Sequence, residues 1–168
     1  MKTIVLTGMS GSGKSTAGKI LSEKSKKKFI DIDEQIVLNE KKSINEIFAH
    51  NGENYFRELE IQTIKNVFEP EDLIISLGGG AFESEQTRNF LLENSVVIYL
   101  KTSPETVLER LKNANDRPLL NNNMNFERIE KLLNSRKNNY ELAHFTVITD
   151  NKNVEEVASE ILRCANLK

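Results

Sequence analysis

The sequence predicts an α/β fold in which a five-stranded parallel sheet is flanked by helices. Short apolar runs of the kind that form buried parallel strands alternate with stretches of helical spacing. A glycine-rich loop stands directly between the first apolar run and the first helical stretch, as in a strand–loop–helix unit. The chain has 168 residues, close to the common size of one domain, so we expect residues 1–168 to form a single domain.

Five apolar runs are expected to be the strands, with helices in most of the chain between them. The predicted strands are Thr3–Thr7, Phe29–Asp31, Leu73–Leu77, Val96–Leu100 and Phe145–Ile148. The predicted helices are Ser15–Ser25, a helical stretch over Glu34–Phe68, Pro104–Lys112, one that begins at Phe126, and a last one with an apolar stripe from Val154 to Ala165. The third and fourth strands are almost continuously apolar, which places both in the middle of the sheet.

Residues 113–125 interrupt this alternation. They are polar, rich in asparagine and contain Pro118. A stretch of this length without strand or helix periodicity is typical of a functional loop. We interpret residues 113–124 as a lid over the site.

Composition limits the classes of partner. The net charge of −2 does not favour a nucleic-acid binder, and no apolar run reaches the roughly 20 residues of a membrane helix. The single cysteine, Cys164, cannot form an internal disulfide. We therefore expect a cytoplasmic monomer that acts on small molecules, with no nucleic-acid or membrane partner.

The loop from Gly8 to Thr16 fits the phosphate-binding pattern G-x-x-x-x-G-K-[ST]. Its glycines let backbone N–H groups surround a polyphosphate, Lys14 reaches the β- and γ-phosphates, and Ser15 is placed to ligate Mg²⁺. The nucleotide-binding residues are predicted to be Gly11, Ser12, Gly13, Lys14, Ser15 and Thr16. The alternative is an ordinary strand–turn–helix corner.

Two carboxylates, Asp31 and Asp33, stand where the second strand ends. Ligands of open α/β sheets gather at the carboxyl ends of strands, and alternation along an extended chain would point both side chains to one side. Asp31 can then support Mg²⁺ while Asp33 meets an acceptor hydroxyl. Alternatively, Asp33 only caps the helix that starts at Glu34.

Arg57 and Arg136 each lie among apolar residues at helical spacing, which predicts that both side chains point inward. Glu60, three residues after Arg57, can orient that guanidinium and leave donors for a bidentate contact with a carboxylate or phosphate. A structural ion pair is the alternative role.

Two further features indicate ligand contacts. Gly78, Gly79 and Gly80 follow the third strand, where a bare backbone allows N–H groups to approach a substrate; a tight turn is the alternative. Arg117, in the predicted lid, can reach the transferring phosphoryl group, or can be an exposed loop residue.

Taken together, these motifs resemble shikimate kinase over nearly the whole chain and in the same order. The matching segments are Gly11-Ser12-Gly13-Lys14-Ser15-Thr16, Asp31-x-Asp33, Gly52-Glu53-x-x-Phe56-Arg57-x-x-Glu60, Gly78-Gly79-Gly80, Arg117-Pro118-Leu119-Leu120 and Arg136-x-x-x-Tyr140. The resemblance implies a P-loop NTPase fold of the nucleoside-monophosphate-kinase type, with a lid. It also implies transfer of the γ-phosphate of ATP to the 3-hydroxyl of shikimate, on the route to chorismate and the aromatic amino acids.

The resemblance also assigns roles to residues. It implies shikimate contacts from Asp33, Arg57, Gly79 and Arg136, catalytic roles for Lys14, Asp33 and Arg117, Mg²⁺ beside Ser15 and Asp31, and nucleotide contacts from Arg110 and Arg117. The sequence departs from the family in the lysine-rich turn before the second strand and in residues 150–153, a weak match to the adenine loop.

Three other functions fit parts of the sequence. A kinase for another hydroxy acid, such as gluconate, shares the loop but does not call for both Arg57 and Arg136. A GTP-dependent switch is suggested by Asn151-Lys152-Asn153, although Val154 replaces the carboxylate of the N-K-x-D motif. A nucleotide-binding protein without catalysis is disfavoured because the acceptor, metal and lid residues are all present.

Overall fold

The predicted sheet is confirmed in the computed structural model, which describes residues 3–68, 72–112 and 125–166. Its strands are β1 (Ile4–Thr7), β2 (Phe29–Asp31), β3 (Ile74–Ser76), β4 (Val96–Lys101) and β5 (Phe145–Ile148). All four strand pairings are parallel, in the order β2-β3-β1-β4-β5. The apolar strands β3 and β4 are both interior, as their composition predicts.

Helices connect the strands and cover both faces of the sheet. They are α1 (Lys14–Ser25), α2 (Ile32–Glu40), α3 (Ile44–Val67), α4 (Glu85–Asn94), α5 (Pro104–Lys112), α6 (Phe126–Tyr140) and α7 (Val154–Asn166), with a 3₁₀ turn at Ala81–Glu83. Within the described ranges, no helix is long and apolar enough to cross a membrane. The single-domain organisation stays a prediction.

The core has two parts because alternate residues of each strand face opposite sides of the sheet. Val5 of β1 belongs to an apolar cluster that also contains Ile36 of α2 and Phe56 of α3. Its neighbour Leu6 belongs to a second cluster, with Leu21 of α1 and helix α7. The sheet is thus covered on both faces, which requires the apolar strands seen in the sequence.

The predicted helical stretch Glu34–Phe68 is two helices. Helix α2 ends at Lys41, which has the left-handed φ of 55°, and α3 begins after Ser43, whose side chain forms a capping box with Glu46. A second interruption falls at Gly52, whose φ of 81° and ψ of 174° are not helical. The Ser43-x-x-Glu46 pattern in the sequence indicates a helix start, but the helical spacing of apolar residues continues across it and gives no sign of a boundary.

Helix α4 and the preceding 3₁₀ turn were not predicted from the sequence. Their apolar residues Phe90, Leu91 and Leu92 are consecutive and do not repeat at helical spacing. The helix starts where the Ser84 hydroxyl accepts a hydrogen bond from the Thr87 N–H group. For this helix, the N-cap residue Ser84 is a better sequence indicator than the spacing of the apolar residues.

Gly18 is expected to be a packing requirement of α1. A Cβ atom at Gly18 would lie 2.3 Å from the Phe29 ring of β2. Alanine favours a helix over glycine by about 1 kcal/mol, so a loss of stability in Gly18→Ala would come from that contact. We expect the free energy of unfolding to fall by about 1–3 kcal/mol in urea denaturation, as in other overpacked cores.

The exposed neighbour Lys19 provides the control for this experiment. Lys19→Ala should change stability by less than about 0.5 kcal/mol. Equal or greater stability of Gly18→Ala than of the wild type would mean that the Phe29 ring moves aside without cost.

Candidate active site

The phosphate-binding loop joins β1 to α1 at the carboxyl edge of the sheet. Gly8, Gly11 and Gly13 have φ values of 141°, 85° and 90°, a region in which side chains are strained. The Lys14 ammonium group donates to the carbonyl oxygens of Gly8 and Met9, both at 2.9 Å. The loop therefore has the backbone conformation that its glycines predict, with the lysine amine folded over its first residues.

The oxygen atoms of the Ser15 and Asp31 side chains meet beside this loop. The Ser15 hydroxyl donates to Asp31 Oδ2 at 2.5 Å and lies 3.4 Å from the hydroxyl of Ser76. The other carboxylate oxygen, Asp31 Oδ1, accepts from the N–H groups of Asp33 and Glu34 at 3.0 and 3.3 Å. Asp31 is thus both the partner of Ser15 and the N-cap of α2.

This capping contact corrects the sequence interpretation of Asp33. Strand β2 ends at Asp31 and α2 begins at Ile32, so Asp33 lies in a helical turn and not in an extended chain. The cap is Asp31, which leaves Asp33 without the structural role considered as its alternative. Both carboxylates nevertheless line the same cavity.

Asp33 and Glu60 meet over Gly78. A Cβ atom there would lie 2.6 Å from both Asp33 Oδ1 and Glu60 Oε1, so this approach requires glycine. Glu60 is only 2% exposed, and burial raises its pKa to about 7. The positive charge of Arg57 opposes this rise in the pKa, and the negative charge of Asp33 adds to it. Glu60 therefore titrates near neutral pH.

Arg57 lies across Gly80 and is held by two carboxylates. Its Nη1 donates to Glu60 Oε2 at 2.5 Å, and its Nη2 donates to Glu53 Oε1 at 3.0 Å. A Cβ atom at Gly80 would lie 2.6 Å from Nη2. The predicted contact with Glu60 is present, and Glu53 is a second partner that the sequence interpretation did not identify.

Arg136 reaches the same turn from α6. Its Nη1 donates to the Gly79 carbonyl oxygen at 3.0 Å, and the Tyr140 hydroxyl donates to this oxygen at 2.5 Å. The Gly79 carbonyl oxygen thus accepts hydrogen bonds from within the protein. The expected contact of the Gly79 N–H group with a substrate stays a prediction.

Arg110 lies on the other side of the phosphate-binding loop. Its Nη1 donates to the Ser12 carbonyl at 3.3 Å, and its Nη2 donates to the Thr149 carbonyl at 3.2 Å. The side chain therefore connects this loop with the segment that follows β5, where residues 150–153 lie.

A cavity of about 560 Å³ joins most of these groups. Its lining includes residues 11–16 of the phosphate-binding loop, both carboxylates of the Asp31–Asp33 pair, Gly79 and Arg110. Arg136 reaches the lining residue Gly79 through a hydrogen bond, and Arg57 lies at the next residue of the turn, Gly80. Arg117 and the predicted lid, residues 113–124, lie outside the described residues.

Two polar residues at this edge were not identified from the sequence. Ser76 ends β3 beside Ser15, and Thr149 follows β5 beside Arg110. Ser76 could have been found, because it is the only polar residue in the apolar run Leu73–Leu77 and stands one residue before its carboxyl end. Thr149 gives no comparable signal.

A phosphate-binding loop, an acidic pair and a cleft at the carboxyl ends of a parallel sheet define a P-loop kinase. Comparison with known proteins specifies the family. The family model described as shikimate kinase matches residues 10–166. A shikimate kinase of Sulfurihydrogenibium sp. is 45% identical over 162 residues, covering 96% of this chain and 96% of that protein. The chain belongs to the shikimate kinase family.

Solved structures agree with this assignment. The shikimate kinase of Acinetobacter baumannii, determined in complex with shikimate, has 32% identity and a TM-score of 0.90, covering 97% of this chain and 92% of that one. A gluconokinase from Sinorhizobium meliloti, at 18% identity, has a TM-score of 0.70 over 99% of this chain and 92% of its own. The latter shows only a shared fold. The family to which the sequence motifs pointed, a family of ATP-dependent kinases, is thereby confirmed.

Glu60 is expected to make stability depend on pH. The pKa of its carboxyl group is about 7 in the folded chain and about 4.5 when unfolded, so raising the pH through this window removes a proton that only the folded chain still holds. The free energy of unfolding should therefore fall as the pH rises from 4.5 to 7. This loss should be absent in Glu60→Gln and can reach about 3 kcal/mol.

The measurement is urea denaturation of the wild type, Glu60→Gln and the control Glu58→Gln at several pH values. Glu58 is exposed on the same helix and should retain the wild-type dependence. Parallel pH profiles for the wild type and Glu60→Gln would show that folding does not raise the pKa of the Glu60 carboxyl group.

Proposed function

We propose that this chain transfers the γ-phosphate of ATP to the 3-hydroxyl of shikimate. One observation carries the proposal: Arg57 and Arg136 lie on consecutive residues of one glycine turn, next to Asp33 and the phosphate-binding loop. Two guanidinium groups can bind one carboxylate, while Asp33 is left for a hydroxyl of the same molecule. Shikimate has both groups, and its product enters the route to chorismate.

The nucleotide side uses the phosphate-binding loop. Residues 11–16 line the cavity, and α1 begins at Lys14, so the positive end of the helix dipole faces the phosphates. Lys14 moves from the carbonyls that it contacts to the β- and γ-phosphates and stabilises the charge that develops during transfer. Arg110 lies on the side of the loop assigned to the adenine base.

Ser15 and Asp31 fit a magnesium ion. Mg²⁺ prefers oxygen ligands and usually combines one or two protein ligands with waters and substrate phosphates. The hydroxyl and the carboxylate converge beside the phosphate-binding loop, which satisfies this preference. Among the described residues, no group of three or more His, Cys, Asp or Glu side chains is placed for a metal, consistent with a site completed by ATP. When bound, the ion would neutralise charge on the phosphates.

The shikimate side is organised around the glycine turn. Arg57 and Arg136 bind the carboxylate, the Gly79 N–H group contacts the substrate, and Glu60 fixes the fork of Arg57 through Oε2. A substrate carboxylate replaces part of the solvation that these arginines lose on burial, so an uncharged analogue should bind much less well.

Asp33 is the residue proposed to receive the acceptor proton. Its backbone position in the first turn of α2 is fixed by the cap from Asp31, and its carboxylate lies over Gly78 inside the cleft. Phosphoryl transfer depends mostly on positioning and charge stabilisation, to which a nearby carboxylate adds by accepting the proton. Arg117 is assigned to the phosphoryl group and residues 113–124 to the lid.

Two alternative functions receive less support from the geometry. The guanine-binding interpretation needs the Lys and the carboxylate of the N-K-x-D motif, but Lys152 pairs with Glu160, and Val154 stands in place of the carboxylate. A gluconate kinase would share the fold without needing both arginines of the glycine turn. The expectations of a monomer and of a cytoplasmic location stay predictions.

The test is an assay of ADP release with ATP and Mg²⁺, in which shikimate, gluconate or a nucleoside monophosphate is offered separately. We expect turnover to depend on shikimate alone. Turnover with gluconate and none with shikimate would contradict the proposal, and omission of Mg²⁺ tests the metal requirement in the same assay.

Asp33→Asn separates a catalytic role from a structural one. The amide retains the size and hydrogen bonding of the carboxylate but loses the charge that accepts a proton. We expect kcat to fall about 10²–10⁴-fold, as for loss of a general base, with ATP affinity and Tm close to the wild type. The exposed neighbour Glu34→Gln is the matched control. An active Asp33→Asn enzyme would end the catalytic assignment.

Gly80→Ala tests the contact between the glycine turn and Arg57. The added Cβ would displace the guanidinium group of Arg57, which is the end of a flexible side chain. Stability should therefore change little, while the guanidinium group moves away from its position beside the glycine turn. We expect the KM for shikimate to rise roughly tenfold, about the effect of losing one charged hydrogen bond, with the KM for ATP unchanged. Gly18→Ala is the reciprocal control, because it should lower Tm without raising the KM for shikimate. An unchanged KM in Gly80→Ala would remove Arg57 from the substrate site.

A further inference from the structure

Tyr140 is the last residue of α6 and is completely buried. It follows Arg136 by four residues, so both side chains project from one face of the helix. That face meets the glycine turn, where the two side chains donate to the same carbonyl oxygen, that of Gly79. Tyr140 is therefore connected to the substrate-binding arginine through a single backbone group.

The two hydrogen bonds together satisfy this carbonyl oxygen. A carbonyl has two lone pairs, and the donors are Arg136 Nη1 at 3.0 Å and Tyr140 Oη at 2.5 Å. Burial raises the pKa of Tyr140 to about 12, so its hydroxyl remains a donor across the physiological range. With one lone pair held by Tyr140, the carbonyl presents the other to Arg136 in a fixed direction.

The ring of Tyr140 is itself held in place. It stacks on Tyr99 of β4 with the ring centroids 4.9 Å apart and the planes 20° apart. Both rings belong to the apolar cluster on that face of the sheet. The hydroxyl that reaches Gly79 thus belongs to a buried ring that is packed against the sheet.

We infer that Tyr140 is a positioning residue for Arg136, acting through the carbonyl of Gly79. Without the hydroxyl, this carbonyl is free to rotate, and the guanidinium of Arg136 loses its orientation toward the substrate carboxylate. The inference rests on the proposed function, in which Arg136 binds that carboxylate. It predicts an effect on shikimate binding and none on the nucleotide.

The experiment compares Tyr140→Phe with Tyr99→Phe, which removes a hydroxyl from the stacked partner and leaves Gly79 untouched. For both variants, steady-state kinetics gives the KM for shikimate, the KM for ATP and kcat, and calorimetry gives the Kd for shikimate without nucleotide. We expect Tyr140→Phe to raise the KM and Kd for shikimate roughly 5- to 20-fold, as for loss of a hydrogen bond that orients a charged group. The KM for ATP should stay the same, and Tyr99→Phe should match the wild type.

A double-mutant cycle shows whether Tyr140 acts through Arg136. In an Arg136→Ala background, Tyr140→Phe should weaken shikimate binding less than twofold, because its target is already gone. An equal effect in both backgrounds would overturn the inference, and so would unchanged shikimate constants in Tyr140→Phe. Parallel losses in Tm, kcat and both KM values would assign Tyr140 to general stability and also overturn it.

The cycle distinguishes this failure from failure of the proposed function. If the function is wrong, the wild type shows no shikimate-dependent turnover. If only the inference is wrong, the wild type turns over and Arg136→Ala binds shikimate poorly, but Tyr140→Phe behaves like the wild type.

Discussion

The absence of side chains at Gly78, Gly79 and Gly80 is the constraint on which the rest of the site depends. The three glycines give four charged side chains access to the backbone: Asp33 and Glu60 at Gly78, Arg136 at Gly79 and Arg57 at Gly80. A Cβ atom at the first or third position would come within 2.6 Å of a charged side chain. The turn is therefore a surface that brings together groups from three helices, α2, α3 and α6, and glycine is required for contact more than for backbone conformation.

The charges that meet on this turn balance each other only in part. Arg57 and Arg136 face Asp33 and Glu60, and burial opposes ionisation of Glu60 strongly enough to raise its pKa to about 7. Within the described part of the chain, Glu60 Oε1 accepts no hydrogen bond, so this oxygen keeps its desolvation cost. Buried charges with strongly shifted pKa values are found preferentially at functional sites, which is consistent with a binding role for this turn.

The sequence predicted the parts of the fold that are set by local signals. Apolar runs located the strands, helical spacing located α5 and α7, and the Gly8–Thr16 pattern located the phosphate-binding loop. The errors arose where a local pattern was ambiguous. Periodicity continued across Ser43, so the boundary between α2 and α3 was not located within the helical stretch Glu34–Phe68, and consecutive apolar residues concealed α4.

The site was harder to predict because its geometry depends on contacts between distant segments. Asp33 and Arg57 were predicted to be site residues, but nothing local shows that Asp31 and not Asp33 is the helix cap, since either spacing fits. The pairing of Tyr140 with the Gly79 carbonyl joins residues 61 positions apart, and Arg110 reaches Thr149 across 39. Contacts of this kind follow from strand order, which the sequence did not specify.

Strand order also explains how the phosphate-binding loop comes to lie between the glycine turn and helix α5. Strand β1 lies between β3 and β4, so the phosphate-binding loop leaves the sheet between the strand that leads to the glycine turn and the strand that leads to α5. Met9 of this loop packs with Val107 and Leu111 of α5 and with Ile129 of α6. Helix α5 carries Arg110 and α6 carries Arg136, and the segment 113–124 joins these two helices. A shift of the loop at Met9 would therefore act on both arginines through one apolar cluster, because closely packed interiors transmit displacement.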